Sequence, residues 1–145
     1  MFRLSFGAST RINAPAATIW RLLADVAAQR RWNTTLASID GTVALGEQVS
    51  FAVKEAPKQA FSPTVVAFDP PTSMVWRLKV PGLTSDRTYR VTSNPDGSTE
   101  FALDEVFRGL LLPIVARTFP DFGAMFERTA ADLKAAAEAE ARPTA

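Results

Sequence analysis

Between Leu36 and Phe107 apolar and polar residues alternate with the period of a strand. Turn-forming residues cut that alternation at Asp40-Gly41, Ala56-Pro57, Asp69-Pro70-Pro71, Pro81-Gly82 and Asn94-Pro95-Asp96-Gly97. Six strands fit between those breaks, and their spacing as successive hairpins makes the sheet antiparallel. The inner faces are expected to carry Val49, Phe51 and Val53; Phe61 and Val65; Met74, Trp76 and Leu78; Leu83, Tyr89 and Val91; and Phe101, Leu103 and Phe107. Glu47, Glu55, Glu100, Arg3, Arg11, Lys54, Lys79 and Arg90 alternate with apolar positions and read as a solvated outer face.

The flanking segments have different periods. In FRLSFGASTRIN, Phe2, Leu4, Phe6, Ala8, Thr10 and Ile12 share one face and Arg3, Ser5, Ser9 and Arg11 the other, as in a long strand with one wet side. Asn13 and Pro15 then signal a helix start, with Ile19, Leu22, Leu23 and Val26 at helical spacing, and Asp25 is placed to cap a second short helix running to about Arg31. After Gly109 the helical period returns on Val115, Phe119, Phe122, Phe126, Thr129 and Leu133, ending in the alanine-rich DLKAAAEAEA. Pro113 suits only a first turn. Pro120 predicts a kink, unless the regular helix begins there and GLLLPIVARTF forms a mobile segment.

This order predicts an α+β domain over residues 1–141 with a frayed tail at 142–145. Its 145 residues suffice to bury roughly two thirds of the unfolded surface. The absence of cysteine and histidine removes disulfides, thiolate nucleophiles, Ser-His-Asp triads and ordinary zinc sites, so neither a metal nor a cofactor is expected. A formal charge of +1 leaves no cationic excess to follow a phosphate backbone, which argues against nucleic acid. The amino terminus lacks a signal-peptide apolar core, and GLLLPIVA at 109–116 is too short to span a bilayer, so no integral membrane segment is expected and the cytoplasm is the expected setting.

Several stretches, in order, resemble the START/Bet v 1 superfamily, the SRPBCC or polyketide cyclase/dehydrase-like group. They are INAPAATIWRLLAD at 12–25, Trp32-Asn33, the Gly41 and Gly46 turns followed by Phe51, DPPTSMVWRL at 69–78, EVFRGLLLP at 105–113 and FERTAADLKAAAE at 126–138. The resemblance covers essentially the whole chain. It departs from the group's frequent Trp-Asn-Pro by placing Thr34 where the proline stands, and it lacks the pocket histidine of many enzymes of the group. The resemblance implies a helix-grip fold: a seven-stranded curved antiparallel sheet wrapped around a long C-terminal helix, with two short helices between strands 1 and 2 (β-α-α-β6-α). It also implies a hydrophobic pocket for a small apolar ligand.

Two charges interrupt the inner faces. A register pairing Val91 with Phe101 and Tyr89 with Leu103 across the Asn94–Gly97 turn puts Arg87 opposite Glu105. The pair is either a polar pole inside an apolar cavity or a rim salt bridge worth at most about 1 kcal/mol. Trp76 is expected near Arg87, within reach of a cation–π contact. Tyr89, the single phenol, reads as core with one satisfied hydroxyl, or as a general acid. Trp32 either packs in the core or walls the cavity. Phe119 and Phe122 are the pocket candidates of the long helix, because the entrance of this fold lies toward that end. The candidate ligand-binding set is thus Trp32, Phe51, Phe61, Trp76, Arg87, Tyr89, Phe101, Leu103, Glu105, Phe107, Phe119 and Phe122, with no residue assigned a catalytic role.

Three functions are compatible with this pattern. One is the binding of a hydrophobic small molecule or lipid in an internal cavity between the sheet and the C-terminal helix. Another is a polyketide cyclase/dehydrase-like enzyme in which Arg87, Glu105 and Tyr89 polarise a carbonyl and move a proton. The last is a regulatory or co-chaperone-like module with a vestigial cavity. Neither the ligand nor the oligomeric state follows from the sequence.

Overall fold

A computed structural model describes residues 2–142. Residues 143–145 of the expected frayed tail lie outside the described residues. The chain runs through β1 (Phe2–Ile12), α1 (Ala16–Ala24), α2 (Val26–Trp32), β2 (Leu36–Gly41), β3 (Val49–Val53), β4 (Thr64–Asp69), β5 (Ser73–Val80), β6 (Leu83–Ser93) and β7 (Thr99–Gly109). A one-turn helix α3 (Leu112–Val115), a 3-10 turn (Ala116–Thr118) and the long α4 (Phe122–Ala141) follow. The helix-grip order expected from the sequence is the order found.

The seven strands form a five-stranded antiparallel sheet in the order β1-β7-β6-β5-β4 and a two-stranded β2-β3 ribbon. Isolated bridges, Gln48 to Thr64 and Phe51 to Phe61, join the two parts where a continuous ladder was expected. The interruption has a local cause. Pro63 has no N–H to return to β3, although its carbonyl accepts from the Val49 N–H at 3.0 Å. Phe61, expected on a strand, therefore sits in a bridge and exchanges both backbone hydrogen bonds with Phe51 at 2.8 Å.

The β6–β7 hairpin has the expected register. Arg87 faces Glu105, Tyr89 faces Leu103 and Val91 faces Phe101. The β5–β6 connection is a two-residue Pro81-Gly82 loop closing a Val80–Leu83 pair, with Gly82 at φ +79° as position i+2 of a type II turn requires. In α2, the Asp25 side chain accepts from the Ala27 N–H, the expected cap.

The long helix starts later than the run of apolar residues in the sequence. Phe119 precedes Pro120 and is extended (φ −67°, ψ 139°), the conformation that pre-proline sterics favour, and Asp121 then caps α4 by accepting from Ala124 N–H at 3.0 Å. Val115 and Phe119 thus lie outside α4. The buried stripe of α4 is Met125, Phe126, Thr129, Ala130, Leu133 and Ala137, which lies against β1 and α1. The core between helix and sheet is filled by Ile12, Ile19, Leu23, Met74, Phe101 and Leu133 among others. Among the described residues, no helix is long and apolar enough to cross a membrane.

Candidate functional site

Adjacent strands place the polar residues of the inner face side by side. Trp76 on β5 is the register partner of Arg87 on β6, which is in turn the partner of Glu105 on β7. Arg87 Nε donates to Glu105 Oε1 at 2.6 Å, and the two side chains are 13% and 7% exposed. The rim placement is thereby excluded: this is a buried ion pair. Desolvating two charges costs several kcal/mol per ion, offset only by close geometry and further polar contacts.

The guanidinium is held between two rings. Its Cζ lies 4.9 Å from the centroid of Phe51 and 5.1 Å from that of Phe126, so β3 and α4 clamp a cation presented by β6. The cation–π partner expected was Trp76. Trp76 instead packs against Tyr89, its diagonal neighbour on the same face of the β5–β6 pair, with centroids 5.0 Å apart. Burial works against the Arg87 charge, but Glu105 and, to a lesser degree, Tyr89 outweigh it and raise the guanidinium further above its ordinary value. Burial pushes the Tyr89 phenol up, and the neighbouring Arg87 charge draws back part of that shift. Tyr89 is accordingly a neutral donor at physiological pH, which does not suit it to act as a base.

One buried side-chain polar atom among the described residues is left without a partner: the Trp76 indole N–H. An unsatisfied buried donor costs about 1–3 kcal/mol. It lies on the same inner face as the ion pair.

The remaining candidates divide into two groups. Phe107, Phe119 and Phe122 form one cluster, with centroid separations of 4.6 Å (Phe107–Phe119), 5.3 Å (Phe107–Phe122) and 5.2 Å (Phe119–Phe122), which Phe6 and Phe126 extend. Phe61 stacks on Phe51 at 5.8 Å, while Phe101 and Leu103 are buried along β7. Trp32 stands apart, donating its indole N–H to the Leu22 carbonyl at 2.9 Å and closing α2 onto α1.

Sequence reasoning assigned Phe126 to the core and overlooked that it forms the second face of the Arg87 clamp. The signal was its place one helical turn after Phe122. It also left unassigned a polar chain beneath the Trp32 loop. Asn33 Oδ1 accepts from both the N–H and the hydroxyl of Thr35, whose hydroxyl lies 3.3 Å from that of Thr129 on α4.

Two clefts open on the surface. One of about 710 Å³ lies at the end of the sheet between the β5–β6 turn and the β7–α3 turn, and another of about 480 Å³ crosses the outer face of the sheet. Neither is lined by Arg87, Tyr89 or Glu105.

Fold and inner face together define a helix-grip domain whose curved sheet closes on a C-terminal helix around a polar pole. The chain belongs to the family described as polyketide cyclase/dehydrase and lipid transport, which matches residues 3–138. No curated protein matches the chain in sequence. Among solved structures, a START superfamily protein from Mycobacterium smegmatis is similar at 17% identity with a TM-score of 0.72, covering 94% of this chain and 98% of that one. A hypothetical protein from Helicobacter pylori is similar at 12% identity and TM-score 0.75, covering 92% and 88%. Norcoclaurine synthase from Thalictrum flavum, in complex with dopamine and hydroxybenzaldehyde, is similar at 9% identity and TM-score 0.70, covering 99% and 90%. At such identities the likeness concerns the fold.

Proposed function

We propose that this single domain binds a hydrophobic small molecule or lipid between the sheet and α4, and that the ligand carries an oxygen which accepts a hydrogen bond from Trp76. The observation that carries this reading is the unpartnered Trp76 N–H beside a buried Arg87–Glu105 pair in an otherwise apolar interior. A buried donor of that kind is satisfied by a ligand atom or by water, and the surrounding apolar side chains favour an apolar ligand body. Phe119 and Phe122 are the side chains such a ligand displaces, since both are only partly buried, Phe122 opening α4 and Phe119 lying just before it. The family's description supports a lipid or polyketide-like ligand, and norcoclaurine synthase offers a precedent of small aromatic ligands on this fold. A cytoplasmic setting and the absence of a nucleic-acid partner belong to the same proposal.

The test is native mass spectrometry of the protein purified from its own host. A retained apolar molecule, lost from Trp76→Phe, is the expected result. A bare protein that also binds no member of a fatty-acid and aromatic-ketone panel contradicts it.

The packing of Phe107, Phe119 and Phe122 on one another supports a second reading, a regulatory module with a vestigial cavity, and it is the one that the bare-protein result favours. Cyclase/dehydrase-like catalysis is distinguished by Glu105→Gln, which abolishes turnover and leaves binding intact if Glu105 moves a proton.

A further inference from the structure

Large apolar side chains left in solvent are concentrated at one end of the molecule. Leu110 and Ile114 are 74% and 68% exposed, and Phe2, Val80 and Leu111 are exposed beside them. These positions are contiguous. Leu111 donates its N–H to the Gly82 carbonyl at 3.1 Å, Leu110 shares a cleft wall with Val80 and Pro81, and Phe2 is the register partner of Gly109. A soluble domain gains nothing from presenting such a patch to water.

The charge around the patch is one-sided. The three segments that build this end, residues 2–6, 78–85 and 107–120, contain Arg3, Lys79, Arg108 and Arg117 and no Asp or Glu, although the whole chain carries a net charge of only +1. Arg108 shares Asp86 with Arg77, at 3.7 Å from it, whereas among the described residues Arg3, Lys79 and Arg117 form no ion pair. A second copy docking through this face about a two-fold axis would bring these cations against their own equivalents, which costs free energy. A negatively charged surface with an apolar interior matches both features at once.

From this we infer that the β5–β6 turn, the β7–α3 turn and the start of β1 form a docking face for an anionic lipid bilayer, with Leu110 and Ile114 entering the headgroup region and Lys79 and Arg117 facing lipid phosphates. The inference does not depend on which ligand the interior takes, or on whether it takes one.

The experiment is flotation of the full chain with phosphatidylcholine vesicles, with and without phosphatidylglycerol. Binding is expected only to the phosphatidylglycerol vesicles, weakening as salt is raised. Partition should fall on the order of tenfold or more in Leu110→Asp/Ile114→Asp, and roughly fivefold in each of Lys79→Gln and Arg117→Gln. Leu45→Asp, at an apolar residue 63% exposed outside those three segments, should leave binding unchanged and serves as the control. The inference is overturned by no flotation with anionic vesicles, or by flotation that Leu110→Asp/Ile114→Asp leaves intact. It is equally overturned if sedimentation shows a dimer that the same variant dissociates, since the face then belongs to a second copy.

Discussion

The Arg87–Glu105 pair makes the sharpest demand on the molecule. Removing one partner strands a buried charge, so Arg87→Met should cost about 3–5 kcal/mol in denaturant unfolding, whereas Arg87→Met with Glu105→Leu should recover most of that loss. Tyr89 is the only tyrosine, so absorbance at alkaline pH reports it alone. Its phenol should titrate above the ordinary value of about 10. A raised folded pKa means that the stability contributed by the neutral phenol is present below about pH 10 and is lost as pH climbs toward the folded value. Thr34 is a further test at this scale. Its N–H and its hydroxyl both donate to Asp132 Oδ2 on α4, at 2.9 and 2.6 Å, and a proline there has neither donor. Thr34→Pro should therefore cost about 1–3 kcal/mol and Thr34→Ala less, measured by thermal or denaturant unfolding. The sequence showed that Thr34 departs from a familiar tripeptide, but its tie to Asp132 spans 98 positions and no local pattern carries it.

Among the elements, those governed by period and turn chemistry were legible. The Asn94–Gly97 turn and the alternation on either side of it sufficed to place Arg87 opposite Glu105, because a one-residue slip would have turned every apolar side chain outward. Pro120 left a kink and a helix start both open, and the structure has the start, with α4 beginning at Phe122. The division of the sheet into five and two strands was not legible. It depends on the missing donor of Pro63, and the alternating pattern on either side of that proline reads as continuous strand. The tight contact between the two turns at the apolar end was equally hidden. Gly109 has φ +149°, and a Cβ there would lie 2.1 Å from the Gly82 carbonyl oxygen. Gly109→Ala should therefore destabilise by about 2 kcal/mol or more and loosen the β5–β6 and β7–α3 turns together, seen as faster amide exchange at Leu111.

At the scale of the whole molecule, one end is cationic and apolar while a cluster of phenylalanines packs beside a buried polar pole. The fold class could be deduced from element order, but the state of the interior could not, since it depends on which rotamers Phe119 and Phe122 adopt and on Phe126 reaching Arg87. Whether Trp76 offers its N–H to a ligand oxygen is read from the indole N–H spectrum of the three tryptophans during titration with fatty acids and aromatic ketones. A saturable downfield shift of the Trp76 indole proton, with the Trp32 signal fixed by its bond to Leu22, is the predicted result. If every ligand of the panel leaves Trp76 unmoved, or shifts Trp32 and Trp76 alike, the interior is not the binding site.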